Sequence, residues 1–124
     1  MVRKHYTQVE GFIKEEEIQE IKNICKGKVC LEIDAIKGKE SIVIAQVAEK
    51  LFVLVSKENS EEVKSNLEGY QNIQIVTGDV SNNLKAMQSK FFDVVCANSI
   101  YICDNQCDKL KKDGILLVMG ENNE

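Results

Sequence analysis

The sequence predicts one α/β domain, a parallel sheet of five strands with helices on both faces. Three observations point there. First, five short, nearly continuous apolar runs rich in β-branched residues punctuate the chain, at 29–33, 51–55, 73–77, 94–97 and 115–119. Runs of this kind suit strands covered on both faces. Second, the runs begin 21 or 22 residues apart. That is room for a strand and a return helix, and far more than a hairpin needs. Third, the intervening segments carry apolar residues at helical spacing. They do not resemble one another, which separates βαβ units from a solenoid repeat.

The helical segments follow in order. Residues 15–25 put Ile18, Ile21, Ile24 and Cys25 on one stripe. Glu15, Glu16 and Glu17 fill the first turn, where the macrodipole favours them. Gly27 then ends the helix. Residues 1–26 are accordingly expected to be an N-terminal helical segment ahead of a core at 27–120, the whole of 1–124 being one domain. Residues 40–50 carry Ile44, Ala45, Val47 and Ala48. Asn59 and Glu62 have the spacing of a capping box before Val63 and Leu67. Ser81 is placed to cap a helix bearing Leu84 and Met87, with Asp79 a second candidate for that end. Residues 102–111 form a shorter helical pattern with Ile102, Cys103, Cys107 and Leu110, and Lys112-Asp113-Gly114 reads as a turn. There is no proline and no low-complexity linker.

Composition narrows the function classes. At 124 residues, 44% apolar and 29% charged, the chain suits one soluble globular domain. A net charge of -4 offers no basic footprint for nucleic acid or an anionic membrane. No apolar run approaches the ~20 residues of a membrane-spanning helix, and residues 1–10 lack the core of a signal peptide. A cytoplasmic location is expected. The five cysteines, Cys25, Cys30, Cys96, Cys103 and Cys107, are odd in number and form no Cys-x-x-Cys pair, and His5 is the only histidine. No zinc site is therefore expected. Cys30 and Cys96 lie in apolar runs, where a free thiol behaves as a small hydrophobe. Cys103 and Cys107 are read as core positions, and Tyr101 and His5 as structural or surface residues.

In an open parallel sheet, ligands bind beyond the carboxyl ends of the strands. Residues 34–39, 56–58, Gly78-Asp79, Asn98-Ser99 and Gly120-Glu121 fall there. Asp34-Ala35-Ile36-Lys37-Gly38 joins the first run to its return helix, whose N-terminus suits an anionic ligand group.

A resemblance sharpens this picture. Gly27-Lys28-Val29-Cys30-Leu31-Glu32-Ile33, followed by Gly38 and Ser41, resembles the first motif of the class I S-adenosylmethionine-dependent methyltransferases. Thr77-Gly78-Asp79 resembles the Gly-Asp of that family's third strand. Phe92-Asp93-Val94-Val95 is similar to its fourth-strand motif, and Leu110-Lys111-Lys112-Asp113-Gly114-Ile115-Leu116 to the entry of its fifth. The four stand in the family's order and spacing over residues 12–120. Phe12-Ile13 and the glutamates that follow resemble the small-molecule O-methyltransferase branch.

The resemblance implies a Rossmann-like sheet in the order 3-2-1-4-5 and S-adenosylmethionine as cofactor. Glu32 would orient the first loop or contact the cofactor's amino group, and Gly38 would let the backbone approach its methionine part. Ser56, with Glu58 two residues on, stands where an acid normally holds the ribose hydroxyls. Asp79, after Gly78, would accept from the adenine amino group, with Val80 beside the ring. Asn98 lies where the methyl-transfer site opens. Asp34 takes the place of the first glycine. Its carboxylate repels the cofactor's own but can pair with the ammonium or the sulfonium. Ile36 takes a second glycine position, and the family usually adds two strands and a lid after the fifth strand.

The activity implied is methyl transfer to an unidentified acceptor. No catalytic base is assigned, because the sulfonium methyl is already activated and transfer chiefly needs alignment. The alternative is a degenerate, non-catalytic domain serving as scaffold or subunit of a complex. Exposed sheet edges leave room for a homo-oligomer or a partner subunit. Other doubly wound families fit less well. No Gly-x-Gly-x-x-Gly follows the first run, Gly38-Lys39-Glu40-Ser41 lacks the upstream glycine of a phosphate loop, and the acids and lysine of a receiver domain are absent.

Overall fold

Each of the five apolar runs becomes a strand, and the amphipathic segments between them fold back as helices. The structure is a computed structural model that describes residues 2–9, 12–98 and 108–121. In chain order the elements are β1 (Val2–Val9), β2 (Phe12–Ile13), α1 (Glu15–Cys25), β3 (Val29–Ile33), α2 (Lys39–Ala45), β4 (Lys50–Val55), α3 (Lys57–Asn66), β5 (Ile73–Thr77), α4 (Val80–Ala86), β6 (Phe92–Asn98) and β7 (Leu110–Glu121).

They build one sheet in the order β2-β1-β7-β6-β3-β4-β5. All neighbours are parallel except the β1–β2 pair. The five expected strands keep the order 3-2-1-4-5 (β5-β4-β3-β6-β7), but the sheet has seven strands, so the full order differs from the expectation. The pleat sends alternate residues to opposite faces. One face packs under α1, α2 and α3 through Ile21, Cys25, Ile44, Ala45, Val63 and Leu67 against Cys30, Val53, Cys96 and Leu117. The other packs on α4 through Leu84 against Leu31, Leu54, Val95 and Leu116.

The N-terminal segment corrects the sequence reading. Residues 1–26 are not helical throughout, because β1 occupies Val2–Val9 and the helix begins only at Glu15. β1 covers what would otherwise be the open edge of β7, in register from Val2↔Ile115 to Gln8↔Glu121. Its residues alternate: Lys4 and Tyr6 turn toward α1, where Lys4 Nζ pairs with Glu20 Oε1 at 3.2 Å, while Arg3 and His5 are exposed.

Other boundaries also move. The cap of α4 is Asp79, whose Oδ1 accepts from the Asn82 N–H at 2.9 Å, and Ser81 lies inside the helix. α3 starts at Lys57 with Ser56 as its N-cap residue, so Asn59 is already helical and caps nothing. The expected turn at 112–114 is a bulge inside β7. Phe92 pairs with Leu110 and Val94 with Ile115, leaving residues 111–114 opposite Asp93 alone. A Cβ on Gly114 would lie 3.0 Å from the Lys111 carbonyl oxygen and 3.1 Å from Leu110 Cβ, a space tight enough to favour glycine. Asp93 fastens this corner: it accepts from the Val29 N–H at 2.9 Å and pairs with Lys111 Nζ at 3.1 Å. Burial raises the Asp93 pKa, but these two partners outweigh it and hold the carboxyl below its ordinary range. Leu110 is strand rather than helix, whereas Ser99, Tyr101, Ile102, Cys103 and Cys107 lie outside the described residues.

Candidate functional site

Glu32 is a carboxylate in the middle of an apolar strand, and the fold gives it a partner. It points to the α1–α3 side of β3, where the Ser41 hydroxyl in α2 donates to its Oε1. Both residues are buried, at 5% and 0% exposure. Burial, then the charge of Glu40, then that of Asp34 push the Glu32 carboxyl up to about 8, against the Ser41 bond, which lowers it. Burial also raises the Glu40 carboxyl. Three carboxyl groups thus meet beneath the β3–α2 loop, so the place suits a positively charged ligand group. The anionic group expected at this helix start does not fit, since the seven-residue α2 carries Glu40 in its first turn.

The loop itself is pinned on both flanks. The buried Ala35 N–H donates to Leu54 O at 3.1 Å, and Asn66 Nδ2 donates to Lys37 O at 2.7 Å. Asp34 at φ 63° and Gly38 at φ 89° both take the left-handed conformation. Glycine adopts it freely, and aspartate is among the few other residues that tolerate it. Ile36, 56% exposed, stands at the tip.

At the next strand ends, Ser56 precedes α3, and its Oγ is buried without a hydrogen-bond partner. Gly78, at φ 136°, donates its N–H to Val55 O at 3.0 Å and so ties the end of β5 to that of β4. The exposed Asp79 follows. Asn98 ends β6, one register step beyond the Ala97↔Ile33 pair.

No protein-family model matches the chain, and no curated protein matches it in sequence. Solved structures do match. A S-adenosylmethionine-dependent O-methyltransferase from Thermotoga maritima aligns at a TM-score of 0.67 and 19% identity over 83% of this chain and 43% of its own. Precorrin-8w decarboxylase from Methanobacterium thermoautotrophicum gives 0.69 and 19% over 88% and 64%. Precorrin-6y C5,15-methyltransferase from Geobacter metallireducens gives 0.68 and 18% over 92% and 67%. The chain has the class I, Rossmann-like methyltransferase fold. It spans between 43% and 67% of the length of these three structures.

The methyltransferase fold gathers most of the sequence-predicted positions on one rim of the sheet. Glu32, Asp34 and Gly38 form one cluster, Ser56 and Gly78 adjoin it across β4 and β5, and Asn98 flanks it on β6. Glu58 is the outlier, exposed in the first turn of α3. Val80 is half-buried and packs toward the α4 core. Ser41 was legible only as a motif position, and its pairing with Glu32 was not. A glutamate inside an apolar strand was the available signal, since buried carboxyls need partners. Cys30 and Cys96 are buried free thiols with pKa values pushed well up. A hydrogen bond to Cys25 leads the causes for Cys30, and burial leads for Cys96. Among the described residues no three His, Cys, Asp or Glu are grouped to hold a metal, and no helix is long and apolar enough to cross a membrane.

Proposed function

We propose that this chain is an S-adenosylmethionine-dependent methyltransferase domain that holds its cofactor along the carboxyl ends of β3, β4 and β5. Its methyl acceptor sits beyond β6 and β7. The observation that carries this reading is the buried Glu32–Ser41 pair under a loop with left-handed turns at both Asp34 and Gly38. The aspartate that stands in place of the motif's first glycine thus takes a left-handed conformation open to glycine.

The residues present fit the cofactor. Its ammonium and sulfonium suit the carboxyl cluster of Glu32, Asp34 and Glu40. The unpartnered Ser56 hydroxyl is a donor and acceptor for a ribose hydroxyl. The exposed Asp79 carboxylate at the end of β5 is an acceptor for the adenine amino group. When bound, S-adenosylmethionine supplies a methyl group already activated on sulfur. The chain's own residues orient it, and in-line alignment with the acceptor accounts for the rate.

One observation favours the non-catalytic scaffold as a second reading: Ser56, not an acid, follows β4, so a charged hold on the ribose is absent at that position.

Calorimetric titration with S-adenosylmethionine and S-adenosylhomocysteine separates the two readings. Saturable binding in the micromolar range supports the enzyme. Asp79→Asn keeps a good helix cap but removes the charge, and is expected to weaken binding by about tenfold, or ~1.4 kcal/mol. No heat with either compound leaves the scaffold.

A further inference from the structure

The two sides of the sheet end in different kinds of strand. On one side β1 carries Arg3 and Lys4, and β2 pairs with its end at Gln8 and Val9. Charged side chains and a covering segment are usual means of keeping an edge from recruiting another strand. On the other side stands β5, Ile73-Gln74-Ile75-Val76-Thr77. It has no charged residue and no proline, and it pairs with β4 without a bulge. Ile73, Ile75 and Val76 are half-buried, and Gln74 and Thr77 are exposed.

The ladder tells which backbone groups of β5 are left over. The Leu51 N–H donates to Asn72 O at 2.9 Å, and the Gly78 N–H donates to Val55 O at 3.0 Å. Between them the register runs in parallel from Leu51↔Ile73 to Val55↔Thr77. Asn72, Gln74, Val76 and Gly78 therefore bond inward to β4. The N–H and C=O groups of Ile73, Ile75 and Thr77 point away from the sheet, and no backbone group among the described residues bonds to them.

We propose that β5 is a homodimer interface, where two copies of this chain pair their β5 strands antiparallel about a two-fold axis at Ile75. Antiparallel pairing alternates residues that exchange both backbone bonds with residues that exchange neither. About this axis Ile75 faces its own counterpart, and Ile73 faces Thr77 of the second copy. The outward groups of these three residues are the ones that such pairing requires. Ile73 and Ile75 lie on the α3 side of the sheet and Val76 on the α4 side. Isoleucine thus meets isoleucine at the axis, and an uncharged strand brings no like charges together. The two-fold uses the same strand on both copies and closes on itself. Five residues a side is few against the 20–30 of a standard interface, so the dimer is reversible, with a dissociation constant in the micromolar range. The pairing needs no cofactor and is independent of the methyltransferase reading.

The test is sedimentation of the whole chain from micromolar to millimolar concentration, with amide hydrogen exchange followed by NMR. The expected result is a monomer–dimer equilibrium in which exchange at Ile73, Ile75 and Thr77 slows as concentration rises, while exchange along β1 does not change. Thr77→Pro removes an outward N–H and no bond to β4, a place where an edge strand accepts proline. Circular dichroism checks that the variant keeps its fold. By symmetry its dimer lacks two hydrogen bonds and is expected to be about tenfold weaker. A chain that stays monomeric throughout, slowed exchange at β1 in place of β5, growth past the dimer, or a folded Thr77→Pro that dimerises as tightly as the parent overturns the proposal.

Discussion

Glu32 titrates far from where an aspartate or glutamate in water does, and the direction of its shift sets a pH dependence. Its carboxyl moves from an ordinary 4.5 to about 8 in the folded chain. The native state therefore holds a proton that the unfolded chain has already released. Its contribution to stability is present below 4.5 and is lost as pH rises to about 8. Urea unfolding at pH 5.5 and 8.5 is expected to show the chain less stable at the higher pH, and Glu32→Gln to flatten that difference. Asp34 offers a second prediction. Asp34→Gly relieves a left-handed residue but loosens the unfolded chain, so the two effects nearly cancel, within about 1 kcal/mol. Thermal melts should show little change, while cofactor binding, measured beside it, reports whether the Asp34 carboxylate helps or hinders. The sequence pointed to Glu32 and Asp34 through the motif they sit in. It could not show that Glu32 stays protonated. That depends on Glu40 and Asp34 being folded down onto it, and on Ser41 arriving from the next element.

Among the elements, strands were easier to read than helix starts. An apolar run of five residues marks a strand wherever it pairs. A helix start depends on which of several similar residues the preceding strand leaves at its end. Ser81 and Asp79 are both good capping types, yet β5 stops at Thr77 and the chain turns at Gly78, so Asp79 takes the role. At α3 the end of β4 at Val55 puts Ser56 at the N-cap position, where its side chain makes no capping bond, and leaves Asn59 inside the helix. Asp79→Ala is expected to cost ~0.5–2 kcal/mol in chemical unfolding, with Asp79→Asn close to neutral. Residues 112–114 have the chemistry of a turn, and a bend is what they form. Pairing between β6 and β7 resumes at Val94↔Ile115, which makes that bend a bulge rather than the end of a helix.

For the molecule as a whole, the five-strand core followed from even spacing, a local property that survives without knowledge of contacts. β1 did not. Its mixed residues look polar, and its partner β7 lies at the other end of the described chain. Removing residues 2–9 leaves the β7 edge open. The truncated chain is expected to melt earlier and to self-associate in light scattering, because an unpaired parallel edge recruits other strands. Val2 meets Ile115, so 113 further residues must be made after Val2 before its partner exists. At ribosomal speeds of 5–20 residues per second, β1 waits roughly 6–20 s for β7 to exist. During that interval the nascent chain carries an orphan strand, and the sheet closes at this side only once β7 has been made.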